Sequence, residues 1–208
     1  MSINLYYVHD PMCSWCWAFR PVYGQIIDAL PAQVKVKTLL GGLAPDSDEP
    51  MPQEMRVFLQ DTWKKIAERV PGTHFNFDFW TRCQPRRSTY PACRAVIAAR
   101  LQGGRHEPVM IRAIQEAYYL RAMNPSDDET LVLLASELGL NREAFALALN
   151  NSETQRQLEQ EIAQGRSIGA EGFPSLILEC AGSYHRLRYS YTDPTLVVAQ
   201  VNELIRQP

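Results

Sequence analysis

Two cysteines three residues apart, Cys13 and Cys16, carry the most reactive chemistry in this chain. They lie in the run Asp10-Pro11-Met12-Cys13-Ser14-Trp15-Cys16-Trp17. Upstream, Ile3, Leu5 and Tyr7 alternate with Asn4 and Tyr6, and Val8 follows, the period of a half-buried strand. His9-Asp10-Pro11 breaks that strand. From Ser14 onward the apolar residues Trp15, Phe19, Val22, Ile26 and Leu30 recur at helical spacing. The pattern therefore predicts both thiols at the start of a helix that directly follows a strand. Free backbone N–H groups and the positive end of the helix dipole favour an anion there, here a thiolate on Cys13. Thiols in such settings ionise at about 3.5–7.5 rather than about 8.5. Cys16, one turn further in, can reach back to Cys13. The pair can then exchange a disulfide with a substrate: one thiolate attacks, and the second thiol resolves the mixed disulfide.

A strand, a C-x-x-C and a helix in that order read as a thioredoxin-like redox unit. The competing use of C-x-x-C is a structural zinc site, which needs four ligands. No second C-x-x-C and no H-x₃₋₅-H is present, and Cys83 and Cys93 stand apart from each other, so no metal is expected. With 208 residues, 46% hydrophobic and 21% charged, the chain reads as one ordinary globular domain with room for an inserted subdomain. A net charge of −2 offers no field for nucleic acid. There is no run of about 18 apolar residues, hence no expected membrane span. The start MSINLYYVHD lacks the basic and long apolar segments of a secretory signal, so the expected location is the cytoplasm.

The elements that must position the thiols follow in order. Val34–Leu40 alternates like a second strand, and Gly41-Gly42 closes it. With the helix between, the first two strands are expected to be parallel neighbours. After a Pro- and Asp-rich connection the pattern is helical for over a hundred residues. Met55, Leu59, Trp63 or Thr62, Ile66 and Val70 share a face. An irregular aromatic stretch holds Phe75, Phe77, Phe79 and Trp80. Further helices are predicted from Tyr90 to Leu101 and from Glu107 to Met123. Capping boxes at Ser126 and Ser152 and a cap at Asn141 open three more. Strand signals return at Ser175–Cys180 and from Tyr184 to Tyr189, and Asp193-Pro194 opens a last helix. The fold class is thus α/β: one sheet built from both ends of the chain, βαβ then ββα, around a long all-helical insertion. The expected division is 1–45, 46–168 and 169–208.

This order resembles the DsbA-type branch of the thioredoxin superfamily, over essentially the full length. The resemblance is carried by Asp10-Pro11-Met12-Cys13-Ser14-Trp15-Cys16, by the interrupted sheet, and by Gly172-Phe173-Pro174-Ser175 before the third strand. The Cys-Ser-Trp-Cys-Trp-Ala-Phe run is most similar to FrnE-like and cytosolic disulfide isomerase proteins. The resemblance implies a thiol–disulfide oxidoreductase or disulfide isomerase with Cys13 as exposed nucleophile and Cys16 as buried resolving thiol. It implies a cis bond before Pro174, presenting the Phe173 backbone to an extended peptide that pairs as an added strand. Ser14, Trp15 and Trp17 are the other expected substrate contacts. Where strongly oxidising members carry Pro-His between the cysteines, this chain has Ser14-Trp15. Expected partners are protein or peptide thiols and disulfides, with glutathione as a co-substrate and no resident cofactor. The alternative is a glutathione-dependent transferase or isomerase of the kappa or 2-hydroxychromene-2-carboxylate isomerase type, which shares the architecture but usually lacks the cysteine pair.

Several residues have two readings. Cys83, Cys93 and Cys180 read as structural, with a Cys83–Cys93 pairing or a relay to Cys13 as the other option. His9 and Asp10 read as a strand-end turn, with Asp10 capping nearby N–H groups, against a role as proton acceptor for Cys16. The Phe75–Trp80 aromatics, like Trp17 and Phe19, fit either a core or a groove. Arg82, Arg86 and Arg87 form a basic cluster in a loop, where an anion such as a glutathione carboxylate can bind.

Overall fold

The computed structural model describes residues 3–206. Residues 1, 2, 207 and 208 of the expected first and last segments lie outside the described residues. The elements are β1 (Ile3–His9), α1 (Ser14–Ala29), β2 (Val34–Leu40), α2 (Gln53–Arg69), α3 (Phe79–Arg82), α4 (Tyr90–Leu101) and α5 (His106–Tyr119). They continue with α6 (Asp128–Glu137), α7 (Arg142–Leu149), α8 (Ser152–Ser167), β3 (Ser175–Cys180), β4 (Ser183–Arg186) and α9 (Thr195–Arg206). The sheet runs β2-β1-β3-β4. β1 pairs parallel with β2, Leu5 opposite Val36, and antiparallel with β3, Leu5 opposite Leu178. β3 and β4 are antiparallel. This is the thioredoxin-like sheet with its helical insertion that the sequence pattern implies.

The sheet is buried on both faces because its strands alternate two apolar sets. Leu5, Tyr7, Leu176 and Leu178 face Phe19, Val22 and Ile26 of α1 and Val197 and Val201 of α9. Tyr6, Val8, Leu39 and Ile177 face the other way, toward Ile168. There α8 lies close to the sheet: a Cβ on Gly165 would come within 3.1 Å of Val8 Cγ1. The largest core belongs to the helical insertion, around Trp63, Phe79, Trp80, Tyr118 and Tyr119. Trp63 alone stacks on Phe75 at 5.0 Å and meets Tyr119 edge-on at 5.4 Å. Rings in these geometries add about 0.5–1.5 kcal/mol per pair beyond burial. No helix among the described residues is long and apolar enough to cross a membrane.

The local signals differ from the structure at a few ends. The Ser126 box is not used: its hydroxyl donates to the Ser88 carbonyl, and Asp127 takes the N-cap position while its carboxylate binds Arg86. α8 is capped one residue earlier than expected, by Asn151, which accepts from the Glu153 N–H. α5 stops at Tyr119 rather than Met123. The Asn76 backbone N–H donates to the Tyr119 carbonyl and its side-chain amide to the Leu120 carbonyl, so carbonyls at this helix end are satisfied from another segment. Pro21 sits inside α1, and β4 ends at Arg186, before the expected Tyr189.

Candidate active site

Cys13 is the N-cap of α1, in extended conformation (φ −81°, ψ 116°), and Ser14 is the first helical residue. Cys13 is 7% exposed and Cys16 fully buried. Both are free thiols. Burial, then the neighbouring Cys13 sulfur, hold the Cys16 thiol well above its ordinary pKa, so Cys16 keeps its proton. Cys13, expected as an exposed nucleophile, is itself largely covered and reaches the groove with only a small part of its surface, while Cys16 has none.

The loop that carries Cys13 is fixed from several sides. Cys13 N–H donates to the Asp10 carbonyl at 3.0 Å. The Asp10 carboxylate accepts from Met12 N–H (2.8 Å), Leu43 N–H (2.7 Å) and the Thr89 hydroxyl (2.7 Å). It also accepts from the Cys93 thiol at 3.5 Å. Burial raises the Asp10 pKa, and the bonds from Leu43, Thr89 and Met12 oppose that rise. Asp10 is thus a buried tie between the cysteine loop, the segment after β2 and the start of α4. These contacts match the turn-forming reading and point its oxygens to partners other than Cys16. Tyr119, from the insertion, adds a hydroxyl bond to the Met12 carbonyl at 2.7 Å.

Opposite Cys13 lies the segment before β3. The Phe173–Pro174 peptide bond is cis. The Cys13 thiol donates to the Phe173 carbonyl at 3.6 Å. Ser175 Oγ bonds the Gly172 carbonyl at 2.7 Å and Tyr189 Oη the Pro174 carbonyl at 3.1 Å, holding the turn. The Phe173 ring lies directly on Gly41: a Cβ there would be 1.9 Å from Phe173 Cε1. Any side chain at position 41 would force the Phe173 ring to move.

Cys13, Ser14, Trp15 and Phe173 line one groove of about 510 Å³. Trp15 is half-buried against Tyr191, ring centroids 5.1 Å apart. Trp17, expected at a substrate surface, is instead core: it is 7% exposed, stacks on Tyr119 and donates from Nε1 to the His74 carbonyl. Cys16 to Phe19 are all buried, so α1 presents no free face at this turn. Phe75, Phe79 and Trp80 also pack in the core around Trp63. Of the arginine cluster only Arg87 lines the groove; Arg86 is bound to Asp127 at 2.6 Å, and Arg82 is exposed on α3. Cys93 and Cys180 are buried, and Cys83 instead donates to the Ala122 carbonyl.

The sequence reading missed the far wall of the groove. Phe58, Leu59 and Thr62 of α2 form it, and Arg166 at the end of α8 lines the same groove. Phe58 is 64% exposed. It lies off the apolar face of α2, and an aromatic on the polar side of a helix was the available signal. Neither Arg87 nor Arg166 has an ion-pair partner among the described residues.

Comparison with known proteins agrees with this geometry. Residues 4–185 match the DSBA-like thioredoxin domain. A Nitrosomonas europaea protein, provisionally assigned as a protein disulfide isomerase, superposes with a TM-score of 0.82 at 26% identity. The match covers 98% of this chain and 97% of that one. The cytosolic disulfide reductase DsbM of Pseudomonas aeruginosa superposes with a TM-score of 0.75 at 25% identity, over 99% and 100% of the two chains. Among curated relatives, the ClpXP adapter protein SpxH of Bacillus subtilis is 23% identical over 175 residues, 84% of this chain and 57% of that protein. The chain thus spans less than two thirds of the length of the curated relatives it matches. With this match over most of its length and the thioredoxin-like sheet, the chain belongs to the DSBA-like thioredoxin domain family.

Proposed function

We propose that this protein is a thiol–disulfide oxidoreductase in which Cys13 and Cys16 form the redox couple, with glutathione as the small thiol. The observation that carries the reading is the asymmetry of the pair: Cys13 opens on a groove, and Cys16 is fully buried behind it and protonated. A sulfur at an N-cap sits where the first helical N–H groups lack partners and negative charge is best tolerated. The Cys13 thiolate attacks one sulfur of a substrate disulfide. A Cys13–substrate disulfide forms, and the other substrate sulfur leaves as a thiolate. Cys16 then gives up its proton and attacks the Cys13 sulfur. The substrate leaves as a dithiol, two electrons richer, and the protein holds a Cys13–Cys16 disulfide. Two glutathione molecules return the pair to thiols and leave as oxidised glutathione. If a second substrate thiol reaches the mixed disulfide before Cys16 does, the result is isomerisation.

Three features support these partners. Phe173 and Pro174 present backbone beside Cys13, where an extended peptide can pair. Arg87 and Arg166 offer two cations to the carboxylates of glutathione. The Pseudomonas aeruginosa reductase has also been solved with GSH, and its cytosolic designation supports a cytoplasmic location for this chain. The test is insulin reduction with glutathione. Cys13→Ser should abolish it, and Cys16→Ala should accumulate a mixed disulfide on Cys13 detectable by mass spectrometry. Retained activity in Cys13→Ser would sink the reading.

A second reading comes from the SpxH relatives, which are ClpXP adapter proteins: the groove would hold a protein segment without any thiol chemistry. It predicts that variants of both cysteines keep full binding. The transferase or isomerase reading predicts turnover that survives Cys16→Ala.

A further inference from the structure

A cavity of about 680 Å³ opens between α1, α5 and the edge strand β2. It shares no lining residue with the Cys13 groove. Its volume falls in the range of small-molecule sites, about 300–1,000 Å³. Tyr23 and Ile27 of α1, Val36 of β2 and Ile111 of α5 are apolar walls, and each keeps some accessible surface. Such walls take the body of a ligand, and the polar groups around them select its head.

Those polar groups are unbalanced in charge. Arg20, Lys37 and Arg112 line the cavity, against Glu107 as the one acid. Glu107 lies 3.5 Å from Arg100, a cation outside the lining that also binds Glu161. Arg20 and Arg112 share a single carboxylate oxygen: Glu116 Oε1 is 2.7 Å from Arg112 and 3.6 Å from Arg20. The first distance is a hydrogen bond and the second is too long for one. Arg20 otherwise rests on the Trp17 ring, 4.6 Å from its centroid. Burial, and then the Arg112 charge, pull the Arg20 pKa below its ordinary value.

Lys37 has no ion-pair partner among the described residues. Its ammonium donates to the Tyr6 hydroxyl at 3.3 Å and lies 5.1 Å from the Tyr6 ring centroid. A phenol leaves that charge uncompensated. Even with Glu116 counted, three cations meet two acids around one apolar cavity. The Arg20 and Arg112 side chains are 36% and 66% exposed, so both guanidiniums are within reach of a ligand.

We propose that this cavity binds a small amphipathic carboxylate with an aromatic body, its carboxylate set against the Arg20–Arg112 pair. A second carboxylate there gives each guanidinium an oxygen of its own. The aromatic body lies on walls that include the Tyr23 ring, and Lys37 adds to the positive field.

The test uses naphthalene-2-carboxylate as probe, titrated into the full chain and followed by ligand-observed NMR. The uncharged 2-naphthamide, of nearly the same shape, is the control. Saturable binding of the carboxylate is expected, with the amide at least about tenfold weaker. Arg20→Gln and Arg112→Gln should each weaken the carboxylate about tenfold and the amide less than about twofold. Glu116→Gln, which releases both guanidiniums, should tighten the carboxylate by about tenfold, a gain that structural damage does not produce. Val36→Glu places an anion on the cavity wall and should block binding while leaving insulin reduction unchanged, which separates this site from the Cys13 groove. Should Arg20→Gln fail to fold, Arg112→Gln and Glu116→Gln decide. No saturation, amide and carboxylate within about threefold of each other, or wild-type binding in both Val36→Glu and Glu116→Gln would overturn the proposal.

Discussion

Replacing His9 by phenylalanine should make the fold more resistant to acid, by an amount the structure sets. The imidazole is fully buried and stacked on Tyr7 at 4.7 Å and 3°. Burial lowers its pKa to about 3, against about 6.5 in an unfolded chain. The folded value is the lower one, so between the two the unfolded chain binds the extra proton. The stability that the neutral ring retains is fully present above about pH 6.5 and is lost as the pH falls toward 3. At pH 4.5 the unfolded imidazole is about two units below its pKa, a loss of about 2.5 kcal/mol relative to pH 7. Phenylalanine keeps the ring and nearly the volume but takes up no proton. Asp10 and Glu107, both raised by burial, titrate in both proteins and cancel in the difference. Urea unfolding followed by tryptophan fluorescence at pH 7 and pH 4.5 measures it. The wild type should lose about 2.5 kcal/mol more than His9→Phe over that interval. At pH 7 the variant should be equal or more stable, by up to about 3 kcal/mol, because two unpaired nitrogens disappear. Equal losses in the two proteins would refute a buried, neutral His9.

Three further outcomes are expected. Gly24→Ala should raise stability by about 1 kcal/mol, seen as a higher Tm, because the helix gains a better former and the new methyl meets open space. Gly41→Ala should push the Phe173 ring off its seat, cost about 1–3 kcal/mol and slow insulin reduction, since Phe173 carries the carbonyl beside Cys13. Thr89→Val removes a donor to Asp10 at 2.7 Å and an acceptor for the Ala44 N–H at 3.0 Å, both buried. Chemical denaturation should show a loss of about 2–4 kcal/mol.

The sheet was legible because its signals are local. Alternation marks β1 and β2, proline and glycine punctuate them, and Cys13, Cys16 and Pro174 announce themselves by type and spacing. Helix ends were less so. α5 stops where Asn76 satisfies its carbonyls, and Ser126 spends its hydroxyl on Ser88 rather than on a cap. Neither competitor is near in sequence. Trp17 and Phe58 show the same limit in the site. Both are aromatics on helices, and only the packing of α1 against the insertion puts one in the core and the other on the groove. The pocket between α1, α5 and β2 could not be read at all, because it exists only where those three elements leave a gap.

The groove has one anchored bank and one free bank. On the Cys13 side each element is pinned by buried bonds, from Asp10, Thr89 and Tyr119, so a change there is felt by the whole fold. On the α2 side Phe58 is largely exposed and Thr62 spends its hydroxyl only on the Phe58 carbonyl. Substitutions on that bank can reshape what enters without disturbing how the thiols are held. A collection of variants at Phe58 and Thr62 would therefore vary substrate choice at nearly constant stability, and it is there that selection or design has room to move.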